Sequence, residues 1–484
     1  VPAFPPFIGG SYQSQSPIAD QERSINWYPE IMEVEGATSR ASLYPTPGVE
    51  TFATVADVGG RAMLGVTDIG VERCFGVLGS TLYEFYDDGS DPVSRGTVAI
   101  DANPATISTS GDGGRELLVT SGDVGYAYNL STNALSTVVS SGATKGGTVF
   151  GYGVVFNIAD SSIRISDQFD MTTWDATQTA QRTIGSDPWR TMHITPYGYI
   201  CLPGTKSGEF WYNAGASPFP FQPEPSALYA WGIAAPFSIA QVGRSVMWLG
   251  QSPEGGYQVV SAQGFSPQRV STHALEFQLS GYERVSDAIG QSYTEDGHTF
   301  YVLTVPSANI THVFDQTTAG IWHERGTWNS AAAEWNVWKP VFHAYAFGKH
   351  LMADRETGTI HRLSNTIATD VNGNGIRRVR RFPALVADRE WLLHTRLRLL
   401  YEQGIGLTSG QGSDPMFMLR YSNDGGRTWG NERQIAAGKL GEYAWRADVR
   451  RLGRSRNRVY ELSVSDPIVG WRLSEVYLDA EPAL

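Results

Sequence analysis

Cysteine is nearly absent from this 484-residue chain: Cys74 and Cys201 are the only two. Two thiols cannot build a disulfide framework or a thiolate metal site, and they read as buried free thiols of a protein folded in the cytosol. Charge is sparse as well, at 18% of residues, which argues against long charged helices. No apolar run approaches the roughly 18 residues a bilayer span needs, so no membrane insertion is expected. The opening VPAFPPFIGG lacks the basic-then-apolar build of a signal peptide, and Val1 is expected to follow a removed initiator Met. Also missing are HExxH, GxSxG, a Walker A loop, GxGxxG and any His pair at metal-ligand spacing, so no cofactor is expected.

What is abundant is turn and strand material: 53 Gly and 12% aromatics, with plentiful Ser and Thr. A loose unit of apolar run, polar turn and second run recurs seven times. It begins at residues 74, 116, 151, 197, 244, 298 and 349, as in CFGVLGSTLYEFYDDGS (74–90) and GYGVVFNIADSSIRISD (151–167). The mean spacing of about 46 residues is close to the period of a four-stranded propeller blade. Within a unit, Ile163 and Ile165 alternate with Arg164 and Ser166, as in a strand. Gly, Pro, Ser and Thr interrupt every helical window. The expected fold is all-β: a propeller over 55–365, of about seven blades with six possible.

The flanks carry no copy of the unit. Residues 1–54 read as an arm. Residues 366–484 hold long alternating stretches such as LLHTRLRLLYE (392–402) and NRVYELSVS (457–465), expected to form a β-sandwich or barrel-like domain completed by the arm. Inside that domain Ser422, Asp424, Gly426, Thr428 and Trp429 fit S-x-D-x-G-x-T-W, the Asp box known from sialidases. Asn-Asp-Gly-Gly permits a tight reversal, and Asp424 can accept from N–H groups of its own turn, with Trp429 folding back as an apolar plug. That is a structural hairpin. Retaining sialidases need an arginine triad, a Tyr–Glu nucleophile pair and an acid, and no such set can be assigned here, so no catalytic residue is expected.

DVNGNG opens like an EF-hand loop, making Asp370, Asn372 and Asn374 a weak metal candidate. The position that should be a bidentate Glu is Arg381, so an Asn-Gly turn between domains is the expected reading. Net charge is −12, but residues 376–484 hold 17 Arg and one Lys against 13 acids, leaving that end at +5 and the first 375 residues at −17. Two runs carry most of the excess: Arg377, Arg378, Arg380 and Arg381, then Arg446, Arg450, Arg451, Arg454 and Arg456. Arginine suits fixed, bidentate contacts. With few interleaved aromatics, subunit and partner contacts are expected ahead of nucleic-acid phosphates.

The ends resemble something specific. Asn26-Trp27-Tyr28-Pro29-Glu30 followed by Tyr44-Pro45-Thr46-Pro47-Gly48, the LYEF unit, and the closing SNDGGRTWGNERQI and RRLGRSRNRVYELSVSDPIVGWRLSEVYLD are similar to the packaged-DNA stabilisation proteins of short-tailed phages, the tail hub or nozzle. The resemblance implies a structural virion protein assembled in the host cytoplasm, forming a hexameric ring below the portal and adaptor. Tail needle and tail fibre or tailspike would be its other partners. DNA would pass through the channel without specific binding. The alternative is a carbohydrate-binding or sialidase-like propeller of a tail fibre.

Overall fold

The computed structural model describes residues 7–17, 19–34, 39–55, 58–182, 186–318, 320–386 and 390–483, so Val1 lies outside the described residues. Seven antiparallel blades follow one another, six of them as separate four- or five-stranded sheets and the sixth in the chain as one end of a larger sheet. Blade one runs through Gly60–Asp68, Val71–Leu78, Thr81–Phe85 and Val93–Thr97, and blade two through Thr106–Thr109, Glu116–Ser121, Val124–Asn129 and Ala134–Val139. Blades three to six begin at Lys145, His193, Gly232 and Ile289. The first strand of blade seven, Pro340–Ala346, packs against that of blade one and closes the ring. Every repeat read from the sequence is the second and third strand of one blade.

Those middle strands are more buried than alternation alone requires. Glu116–Ser121 is buried at every position, and Ser245–Gln251 at all but its last. Each blade is covered on both faces by its neighbours, so both sides of its central strands meet side chains. Asp296 (φ 49°) and Gly297 (φ 84°) illustrate the turns: a two-residue reversal with both residues left-handed joins the paired Glu295 and His298. Among the described residues the single α-helix is His273–Gly281. Thr272 Oγ1 caps it, accepting from Leu275 N at 3.2 Å, and Leu275 and Leu279 are buried in the core shared by blades five and six.

Blade seven corrects the expected domain boundary. Its outer strand is Gly48–Thr54, paired with Thr359–Ser364, so the propeller begins before residue 55. The chain leaves blade seven after three strands to enter the sandwich, and the segment preceding blade one supplies the fourth. A lone strand carries no repeat, which hid it in the sequence.

The rest of the arm completes the C-terminal domain, a sandwich of two five-stranded sheets. One sheet is Trp27–Ile31, Ala41–Pro45, Leu473–Pro482, Leu392–Tyr401 and Asp448–Ser455; the other is Gln21–Ile25, Arg378–Arg381, Asn457–Val464, Met416–Ser422 and Arg433–Ala436. Trp27, Leu43, Leu397, Phe417, Tyr460, Leu462, Trp471 and Leu473 fill the space between them. The second sheet does not stop at the domain edge. Ile25 pairs in parallel with Glu324 of blade six, so one sheet of twelve strands runs from the propeller into the sandwich.

Candidate functional site

The joint between the domains is built from the N-terminal motif. Asn26 holds a left-handed φ of 57° between two strands of different sheets. Its buried amide donates to Gly326 O and Arg377 O, both at 2.8 Å, and accepts from Gly326 N at 3.1 Å. One side chain thus ties blade six to the sandwich. Beside it, Arg23 grips Glu324 with Nε at 3.0 Å and Nη2 at 2.6 Å. Burial alone would raise the Glu324 carboxyl, but the Arg23 guanidinium holds it below its ordinary range. Arg325 donates to Pro47 O and to Tyr293 Oη and lies 3.6 Å from the Trp338 ring centroid. Asn26, Arg23, Glu324 and Arg325 escape sequence reasoning as site residues. The only signal was the motif Asn26-Trp27-Tyr28-Pro29 itself.

The first arginine run belongs to this joint, which corrects the expectation that it faces a partner. Arg378 and Arg380 are fully buried within the chain, at 1% and 0% exposure. Their strand lies inside the sheet, between Gln21–Ile25 and Asn457–Val464, so both sides meet protein. Arg380 donates to Phe7 O at 2.8 Å and Gly10 O at 2.7 Å, and pairs with Glu22. Arg378 donates to Ile376 O at 3.3 Å, and burial, reinforced by Arg325 nearby, pulls its guanidinium down to about 9. Arg377 bonds Glu432 at 2.9 Å and lies over the Trp328 ring. Arg381 bonds Glu461 at 2.9 Å.

The candidate metal turn sits at the same joint. Asp370 is buried and accepts from Val371 N at 2.8 Å; burial raises its carboxyl, with Arg325 acting the other way. Asn372 and Asn374 are exposed, and Asn372 Oδ1 accepts from Asn374 N at 3.0 Å. Among the described residues no group of three or more His, Cys, Asp or Glu is placed to hold a metal.

The Asp-box hairpin keeps its turn but not its plug. Asp424 Oδ1 accepts from Ser422 Oγ at 2.6 Å and from Arg427 N and Thr428 N at 2.9 Å, while Gly426 N donates to Ser422 Oγ at 2.8 Å. The Ser422 and Thr428 hydroxyls, then the turn's N–H groups, hold the carboxyl far below its usual range. Trp429 is not sealed under the loop. It is half-buried, with the guanidiniums of Arg381 and Arg420 each 4.8 Å from its ring. Both of those arginines bond the buried Glu461, so the hairpin covers an ion triad.

The second run is different. Arg446, Arg450, Arg451, Arg454 and Arg456 are all exposed. Asp448–Ser455 is the outermost strand of its sheet, paired on one side only with Leu392–Tyr401. Arg454 and Arg456 flank the Trp391 ring at 4.9 and 4.8 Å, and Arg450 reaches Asp448 at 3.8 Å. Among the described residues Arg446, Arg451, Arg454 and Arg456 have no carboxylate partner. Tyr443 and Trp445, 72% and 39% exposed, extend the surface.

A closed propeller fused through one continuous sheet to a two-layer sandwich, with a free arginine edge, defines a two-domain β scaffold. Comparison with known families places it. The propeller family described as bacteriophage P22 Gp10 matches residues 6–368, and the corresponding β-sandwich family matches 377–470. The chain therefore belongs to the bacteriophage P22 Gp10 family, tail proteins of short-tailed phages that stabilise packaged DNA. It is a structural protein of the phage tail and a virion component. No curated protein matches it. Solved structures resemble it distantly. A mitotic checkpoint complex chain is 12% identical, covering 69% of this chain and 96% of that one, with TM-score 0.41. An inactive virginiamycin B lyase from Staphylococcus aureus is 11% identical, covering 66% and 99%, also at 0.41. From likenesses this distant nothing about activity follows.

Proposed function

We propose that this chain assembles into a sixfold ring that continues the DNA channel below the portal and adaptor. The ring retains packaged DNA, and carries the tail needle and the tail fibres or tailspikes. It acts without catalysis, and assembles in the host cytoplasm. The observation that carries this reading is the exposed arginine edge at Asp448–Ser455, on a molecule whose first 375 residues are at −17. An exposed guanidinium row complements an acidic neighbour and fixes geometry through bidentate pairs. A conduit that held DNA through phosphate contacts would slow its passage, and such contacts strengthen steeply as salt falls. The acidic part therefore suits the channel, and the arginine edge suits neighbouring subunits or the adaptor.

Native mass spectrometry and negative-stain microscopy of the protein with its adaptor test the reading. Sixfold rings are expected, weakened by Arg451→Ala or Arg454→Ala, with only weak duplex binding at physiological salt. Tight, salt-sensitive DNA binding that those variants abolish while rings persist would make the edge a DNA clamp instead. Monomers that turn over a sialoside would favour a glycan-processing propeller.

A further inference from the structure

The propeller axis is not solidly packed. Two cavities adjoin along it, sharing Pro104, Phe237, Ile289 and Phe342 as walls: an outer one of about 640 Å³ and an inner one of about 240 Å³. In the outer cavity the guanidiniums are already matched. Arg61 pairs with Asp101, Arg284 with Asp287 at 3.3 Å and Arg355 with Glu356 at 2.7 Å.

The inner cavity is not balanced in this way. Lys145 lines it from the start of the first strand of blade three. Its Nζ donates to Thr191 Oγ1 and Pro236 O, both at 3.3 Å, and lies 5.5 Å from the Phe237 ring centroid. Among the described residues no carboxylate pairs with it. The titratable groups around it are His193, His343 and Cys201. Burial holds both imidazoles near 3 and pushes the thiol up to about 12, so all three are neutral. Beyond His343, His350 bonds it at 2.9 Å and in turn pairs with Glu295 at 3.2 Å. Gln291, 8% exposed, brings a second unmet group. Its Nε2 donates to Pro340 O at 3.3 Å, while Oε1 has no partner and the residue lines the same cavity.

An ammonium without a counter-charge at the wall of one small space, and a buried, unpartnered acceptor on the residue beside it, are costly when left unmatched. The group that satisfies the first is an oxyanion, and the group that satisfies the second is a hydroxyl. Phe237, Phe342, Ile239 and Val341 supply apolar walls for the body between them. We propose that the inner axial cavity is a binding site for a small hydroxylated carboxylate of the sugar-acid class, its carboxylate on Lys145 and a hydroxyl donating to Gln291. Binding adds no covalent step and is independent of ring assembly.

The charge state supports a pH signature. Burial pulls the Lys145 ammonium down to about 7, so without ligand it loses its charge near neutrality. A bound carboxylate favours the charged form, and affinity falls as pH rises through that range.

Calorimetric titration of the full chain with D-glucuronate, with glucose and acetate as controls, tests the site. Near pH 6.5 glucuronate is expected to bind at least about tenfold more tightly than glucose. Lys145→Met should remove that advantage, and Gln291→Leu should bring glucuronate down to the level of acetate. Raising the pH from about 6.5 to about 9 should weaken glucuronate binding to wild type by about tenfold or more. Glucuronate binding no tighter than glucose, unchanged in Lys145→Met, or flat across that pH range would overturn the proposal. The pH series uses wild-type protein, so a folding defect in either variant leaves the site testable.

Discussion

Two runs of arginine lie about seventy residues apart in one domain and read alike in the sequence, yet they meet opposite fates. Arg378–Arg381 form an inner strand of a twelve-stranded sheet and, with Arg377, are bonded within the chain. The arginines of residues 446–456 follow an outer strand and face solvent. Strand position explains the difference. An inner strand has a neighbour on each side and a layer on each face, so a guanidinium there must find carbonyls and carboxylates at home. An edge strand leaves side chains and one row of backbone groups open to a partner. Arginine content alone therefore does not mark an interface.

The comparison breaks most sharply at Arg380. Arg380→Ala leaves Glu22 without its buried partner and two carbonyls without donors. It should cost about 3–5 kcal/mol in denaturant unfolding. A cost equal to that of Arg454→Ala would mean that the buried run does not hold the joint. Next comes Asn26→Ala, which removes three hydrogen bonds at the joint, two of them buried and crossing to Gly326 of blade six. A loss of about 2–3 kcal/mol is expected. Calorimetry should show one transition in the wild type and two in the variant as the propeller and sandwich uncouple.

Trp429→Ala tests the revised hairpin. With the ring half-buried between two guanidiniums, the expected cost is about 1–2 kcal/mol, below what a sealed aromatic plug would give. His298 supplies a pH-dependent term at the joint. It bonds Asp315 at 2.7 Å and pairs with Glu30 of the sandwich. Burial works against its charge, but those two carboxylates raise its value above the ordinary one. Its contribution is full below about pH 6.5 and is lost as pH rises through the raised folded value. The melting-temperature gap between wild type and His298→Gln should shrink over that rise, and a gap that widens would count against the pairing. Smallest of all, Arg451→Ala and Arg454→Ala should change stability by no more than about 0.5 kcal/mol. Larger losses would show that the second run is also intramolecular.

Much of the fold was legible because its signal is local and repeated. Each hairpin of a blade's second and third strands carries its own apolar runs and turn, so seven weak copies reinforce one another. The outer strand of blade seven was not legible, since Gly48–Thr54 occurs once and finds its partner some three hundred residues away. The Asp box was legible as a turn because its hydrogen bonds close within seven residues. The setting of Trp429 was not, because Arg381, Arg420 and Glu461 come from three strands.

By itself, then, the sequence determined the blades, the turns, the sandwich strands and the uneven charge, all of which follow from residues within hydrogen-bonding reach along the chain. Only the tertiary structure decided which arginines are joint and which are surface, where the arm divides between propeller and sandwich, and that Lys145 faces a cavity without a counter-charge. Those outcomes depend on which strand lies beside which, and burial, unlike propensity, is a property of the neighbours rather than of the residue.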